Sequence, residues 1–138
     1  YNDELCISQG VDAFPNPFVK LAAGADGIIV CAPEYNWSYP GSLKSIIDWT
    51  SRLNPNPLKG KVVMLMCAST GIRGGIIGLT HLKSPFEAIE MLVFPRVFPL
   101  GSAHIHLADG TLKEPKLKQM LASLLDEYYA FTARFITN

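Results

Sequence analysis

The hydrophobic pattern of the chain changes period twice within its first half. Gly27-Ile28-Ile29-Val30-Cys31-Ala32 is a short, unbroken apolar run, rich in β-branched residues and stopped by Pro33. Such a run reads as a strand buried on both faces, as strands of parallel sheets are. Beyond it, Leu43, Ile46, Ile47 and Leu53 recur at helical spacing, with Lys44, Asp48 and Arg52 elsewhere on the wheel. Ser42 can cap this helix, or Ser38 can with Pro40 in the first turn. Asn54 to Gly60 is a breaker-rich loop, and Lys61 to Ala68 is a second buried strand. Strand, helix and strand of this kind form a right-handed βαβ unit with parallel neighbours. The two loops at the carboxyl ends of the strands then lie side by side.

The flanking segments are read the same way. Tyr1 to Leu5 is polar and mixed, and no element is assigned to it. Gly10 to Pro17 holds two prolines and several turn formers and reads as a surface connection. Phe18 to Ala23 makes a short helix ending at Gly24. Gly78 to Val93 is helical in pattern but contains Pro85, so a break near Ser84 is expected, with Ser84 capping a restart. Met91 to Phe94 leads into a third strand, spanning Leu92 to Phe98 and interrupted by Pro95 and Pro99. Proline is tolerated mainly at sheet edges, which makes this the outer strand. The chain closes with an amphipathic helix from about Pro115. Leu117, Leu121, Leu124, Leu125, Tyr128 and Phe135 form its apolar stripe.

Composition narrows the function classes. With 138 residues and 49% hydrophobic content, the chain can bury one core and reads as a single domain, 1–138. Acidic and basic residues balance at 12 each, which leaves no footprint for nucleic acid or an anionic membrane. No apolar run approaches the ~20 residues that span a bilayer, and no basic stretch followed by an apolar run opens the chain, so secretion is not expected. Three cysteines without a Cys-x-x-Cys read as thiols in a reducing, cytoplasmic setting. Cys31 and Cys67 fall in the predicted strands as small core hydrophobes. His104 and His106, one residue apart and followed by Asp109, would share a face on a strand. They lack a clustered third and fourth ligand, so no metal is assigned. His81 reads as a core or surface residue.

Two loops carry the candidate chemistry. Between the first strand and its helix lie Tyr35, Trp37 and Tyr39 with Asn36 and Ser38, a mixture suited to a flat heteroaromatic ligand with a polar edge. Ligands of open α/β sheets bind beyond the carboxyl ends of strands, where this loop sits. After the second strand comes Ser69-Thr70-Gly71-Ile72-Arg73-Gly74-Gly75. Its glycines permit positive φ and close backbone approach to a ligand. It has neither a P-loop ending nor dinucleotide spacing. Pro-Glu-Tyr-Asn-x-Ser-x-Pro-Gly-x-Leu-Lys-x-x-Ile-Asp-Trp, from Pro33 to Trp49, resembles the signature of the NADPH-dependent FMN reductase family. That family includes flavodoxin-like quinone, azo-dye and chromate reductases, and the resemblance runs more loosely to about Phe131.

The resemblance implies a flavodoxin-like three-layer α/β/α sandwich with parallel strand order 2-1-3-4-5, of which strands 3, 4 and 5 are found here. It implies FMN as cofactor, with NADPH or NADH as co-substrate and a small-molecule electron acceptor. Pro33, Glu34, Tyr35, Asn36 and Ser38 are the implied contacts on one side of the ring. Ser69, Thr70, Gly71 and Arg73 are those on the other, with Thr70 where the family commonly has proline. The flavin carries the chemistry, so no catalytic side chain is expected. A homodimer or homotetramer is implied. So is an N-terminally incomplete domain, with ~40–50 further residues before Tyr1 carrying two strands and the phosphate loop. A flavodoxin-like electron carrier is the alternative, and a subunit that has lost its cofactor is a third.

Overall fold

The computed structural model describes residues 1–11 and 17–136, so most of the expected connection from Gly10 to Pro17 lies outside the described residues. Three parallel strands make the main sheet, in the order β1 (Gly27–Cys31), β2 (Val62–Ala68), β3 (Leu92–Leu100). The first two match the expected runs to within a residue. β3 continues two residues past Phe98 and includes both prolines. Pro95 falls where the register with β2 skips between Val63 and Leu65, and Pro99 pairs with Cys67 on an edge strand. A bulge and an edge are the two places where a residue without an N–H fits a sheet.

Helices cover both faces. On one side α2 (Pro17–Ala23), α3 (Gly41–Thr50) and α4 (Ile76–Ala88) pack against Ile28, Val63, Leu65 and Cys67. On the other, α6 (Pro115–Thr132) sets Leu124 and Tyr128 on Val62, Met64, Phe94 and Phe98. The Tyr128 hydroxyl donates to the Val62 carbonyl (3.4 Å), and its ring meets Phe94 edge-on at 5.7 Å. β2 is the centre of this sandwich. Val62, Val63, Met64 and Leu65 are inaccessible to solvent. At ~1.5–3 kcal/mol per buried side chain, this one strand is a leading contributor to stability.

Several expectations are corrected. β1 is not buried on both faces: Ile29 is 41% exposed and Cys31 is exposed. No described strand lies on its far side, and Tyr128 and Thr132 of α6 lie against Gly27 at its start. Cys67, by contrast, is buried as expected. Neither serine caps α3, whose N-cap is Pro40. Ser42 lies inside the first turn, and the Ser38 backbone is occupied in a turn described below. α4 runs through Pro85 without a break. Leu79, Leu82 and Phe86 are all buried on one side, and their packing outweighs a proline cost of ~3 kcal/mol. Phe135 lies beyond the end of α6 and is exposed, whereas Thr132 is buried.

Four short elements have no counterpart in the hydrophobic pattern. α1 (Asp3–Gln9) is capped by Asn2, whose side chain accepts from the Leu5 amide (2.9 Å), with Asp3 and Glu4 in its first turn. These are ordinary N-terminal signals, but the helix buries no residue, so no apolar stripe announces it. His104 and His106 belong to α5 (Ala103–His106), not to a strand. It leads into a small antiparallel hairpin of β4 (Leu107–Ala108) and β5 (Thr111–Leu112). Among the described residues, no helix is long and apolar enough to cross a membrane, and no group of three His, Cys, Asp or Glu could hold a metal.

Candidate functional site

The site is built where β1 and β2 end. Ile29 pairs with Met64 and Cys31 with Met66, so Pro33 and Ser69 leave the sheet from neighbouring strands in the same direction. Tyr35 and Ser38 then close a tight two-residue turn by exchanging backbone hydrogen bonds of 2.8 and 3.0 Å. Its central residues, Asn36 (φ 48°) and Trp37 (φ 67°), both have left-handed backbone. Positive φ at both positions is the requirement of a type I′ turn. Asparagine tolerates it readily, but an aromatic residue there carries strain on the order of 1–3 kcal/mol. The consequence is that Tyr35 and Trp37 project outward, 62% and 61% exposed.

The second loop is held from below. Ser69 and Gly71 accept from the backbone amides of Ala103 and Ser102, at 2.9 and 3.0 Å, and the Ser69 amide donates to Leu100. Gly74 and Gly75 take the left-handed conformation, as the sequence suggested, whereas Gly71 does not. Gly75 is also confined sterically, because a Cβ there would overlap the Cys67 sulfur. Burial pushes the Cys67 thiol above its ordinary pKa, so it remains an uncharged packing group beneath that turn.

Between the loops lies a cavity of about 290 Å³, bounded by Glu34 and Trp37 on one side and by Ser69, Gly71, Ile72, Arg73, Gly74 and Gly75 on the other. Four expected residues therefore meet in it: Glu34, Ser69, Gly71 and Arg73. Pro33, Tyr35, Asn36, Ser38 and Thr70 do not line it; they flank it on the same loops. Glu34 Oε2 accepts from the Gly78 amide (2.7 Å), which ties this carboxylate to the first turn of α4, where the helix dipole favours negative charge. Along the sequence, Trp37 is one of three aromatics in this loop. In the fold it faces Arg73, whose guanidinium carbon lies 5.1 Å from the indole centroid.

A larger cavity, about 520 Å³, opens at the opposite end of the sheet between residues 51–56 and 88–90. Several of its polar groups are already engaged: Asn56 bonds the Ile89 carbonyl and the Leu58 amide, and Lys59 pairs with Glu90. Size alone would favour it. Exposed aromatics, uncommitted backbone amides and the strand carboxyl ends all favour the smaller one.

Comparison with known proteins identifies the family. Residues 1–105 match the family model for NADPH-dependent FMN reductase. A quinone reductase of Escherichia coli (strain K12) is 36% identical over 93 residues, which cover 67% of this chain and 50% of that protein. The match thus spans about half the length of that relative. An NAD(P)H-dependent FMN reductase of Pseudomonas aeruginosa is 28% identical over 97% of this chain and 73% of its own. Among solved structures, FerB, a flavoenzyme NAD(P)H:(acceptor) oxidoreductase from Paracoccus denitrificans, superposes with a TM-score of 0.77. It is 26% identical and covers 98% of this chain and 75% of that one. The sheet of β1, β2 and β3 with helices on both faces is therefore flavodoxin-like. With the family model matching from Tyr1 past both loops of the cleft, the chain belongs to the NADPH-dependent FMN reductase family.

Proposed function

We propose that the cleft between the two loops holds the ring of FMN, and that the protein is an NAD(P)H-dependent oxidoreductase serving a quinone-type or similar small acceptor. The supporting observation is a set of uncommitted backbone donors around an open, aromatic-rimmed space. The amides of Thr70, Ile72 and Arg73 donate to no acceptor among the described residues. A Cβ added at Gly71 would meet only Ser69 Oγ, at 3.6 Å, so the backbone there can be closely approached. An oxidised isoalloxazine has carbonyl and ring-nitrogen acceptors along one edge, which such donors match. In this reading Pro33, Tyr35, Asn36 and Ser38 flank one edge of the ring, and Ser69, Thr70 and Gly71 the other. Glu34 holds α4 in place.

When bound, FMN would supply the hydride chemistry, taking a hydride from NADPH or NADH and passing electrons to the acceptor. The chain's own contribution is to bind and orient the ring and to exclude water from one side. The turn at Asn36 and Trp37 is closed by two backbone hydrogen bonds, and the Ser69–Gly75 loop is fastened by Leu100, Ser102 and Ala103, so both walls are held in place before binding. The working unit we infer is a homodimer or homotetramer in the cytoplasm, where thiols such as the three free cysteines stay reduced.

The experiment is to load the protein with FMN and measure NAD(P)H oxidation against a quinone. Donor and acceptor using the same cleft in turn should produce parallel initial-rate lines. Intersecting lines would reject a shared face. Turnover only with protein electron carriers would favour a flavodoxin-like carrier.

A further inference from the structure

Trp37 occupies a position that the Pro33–Trp49 signature leaves open, and Arg73 comes from the other loop, yet the two meet across the mouth of the cleft. The guanidinium lies over the indole at 5.1 Å, within the range of a cation–π contact. Arg73 forms no ion pair among the described residues. The one acid lining the same cavity, Glu34, is drawn inward to the Gly78 amide. The indole is 61% exposed although its backbone is left-handed, so little burial offsets that conformation. An exposed aromatic surface and a cation without a carboxylate partner thus stand together at the entrance of the cleft.

We propose that Trp37 and Arg73 form a recognition pair for an aromatic ring carrying negative charge. The ring stacks on the indole or on the guanidinium plane, and its charge pairs with Arg73, whose planar fork suits sulfonate, phosphate or enolate oxygens. What the pair serves rests on the redox reading above; that it binds such a ring does not. Two kinds of redox substrate have this chemistry. One is the phosphate-bearing nicotinamide nucleotide, and the other is an acidic aromatic acceptor such as a sulfonated quinone.

The binding test needs no flavin. The sequence holds two tryptophans, Trp37 exposed and Trp49 buried, and Trp37→Phe assigns their indole N–H signals in NMR. The full chain is titrated with naphthalene-2-sulfonate and with neutral naphthalene-2-methanol, at low and high salt. The Trp37 signal should shift at a concentration about tenfold lower for the sulfonate, and added salt should narrow that gap. Arg73→Gln should abolish the preference without moving the unfolding midpoint, and Arg73→Lys should keep part of it. Equal response to both probes, or a preference that survives Arg73→Gln, would overturn the proposal.

Steady-state kinetics of the FMN-loaded chain then separate the two sources. A KM raised by Arg73→Gln for NADPH alone assigns the pair to the donor. A KM raised for 1,2-naphthoquinone-4-sulfonate but not for 2-methyl-1,4-naphthoquinone assigns it to the acceptor. No change in any KM would remove the pair from substrate recognition. Failure to bind FMN would instead sink the redox reading and leave the NMR result standing.

Discussion

Gly71 and Gly75 lie in one loop and should respond to a side chain in opposite ways. A Cβ at Gly71 points into space bounded only by Ser69 Oγ, whereas one at Gly75 runs into the Cys67 sulfur, on a backbone with φ of 77°. Gly71→Val should therefore fold normally and bind FMN at least ~10-fold more weakly, because the methyls occupy the approach to the ring. Gly75→Val should lose on the order of 1–3 kcal/mol from overpacking, plus strain at positive φ. Denaturant midpoints with a flavin-fluorescence titration check both variants. Unchanged FMN affinity in Gly71→Val would place the ring elsewhere. The richness in glycine was legible from the sequence. Which glycine is sterically required was not, because Cys67 and Gly75 are brought together only by the turn.

At the scale of elements, α5 and its hairpin brace the site from below, since Ser102 and Ala103 donate to the Gly71 and Ser69 carbonyls. His106 Nδ1 lies 2.8 Å from Glu114 Oε2, which clasps this brace to the start of α6. The hydrogen bond from His106 is the main reason that the Glu114 carboxyl sits below its ordinary pKa, and the charge of His106 adds to it. A carboxylate with a depressed folded pKa contributes stability that is fully present above its unfolded pKa. That contribution is lost as pH falls through the folded value. Glu114→Gln should accordingly lower the thermal midpoint near neutral pH. The gap to the parent should close as the pH drops below the normal carboxylate range, in a series of melts from pH 7 to 3. A gap independent of pH would show that the clasp is not ionic. The histidine pair was visible in the sequence, but its partner was not, because Glu114 becomes a neighbour only after the β4–β5 hairpin turns the chain back.

For the whole molecule, the exposed feature of greatest consequence is the flank of β1. Its far edge pairs with no described strand, and Ile29 stands 41% exposed on it. An open, apolar, β-branched edge recruits another strand. The 1–138 polypeptide should therefore elute from gel filtration larger than its 15.1 kDa. Ile29→Lys, which places a charge on that flank, should shift it toward the monomer. A monodisperse monomer at tens of micromolar would show that the edge is protected some other way. By contrast, the Arg96–Glu127 ion pair joining β3 to α6 is exposed, and its removal should cost no more than ~1 kcal/mol.

The sequence by itself determined the alternation of strands and helices, the outer place of the proline-bearing strand, and the two loops that wall the cleft. Apolar period, β-branching and breaker residues are properties of neighbours along the chain, and a short window suffices to read them. The continuous course of α4 through Pro85, the exposure of Cys31, the inward turn of Glu34 and the meeting of Trp37 with Arg73 were decided only by the tertiary structure. Each depends on a partner at least several residues away. Leu79, Leu82 and Phe86 hold α4 against β2, the incomplete cover over β1 exposes Cys31, and the Gly78 amide captures Glu34. For Trp37 and Arg73, it is the parallel pairing of β1 and β2 that brings the residues following each strand to the same end of the sheet.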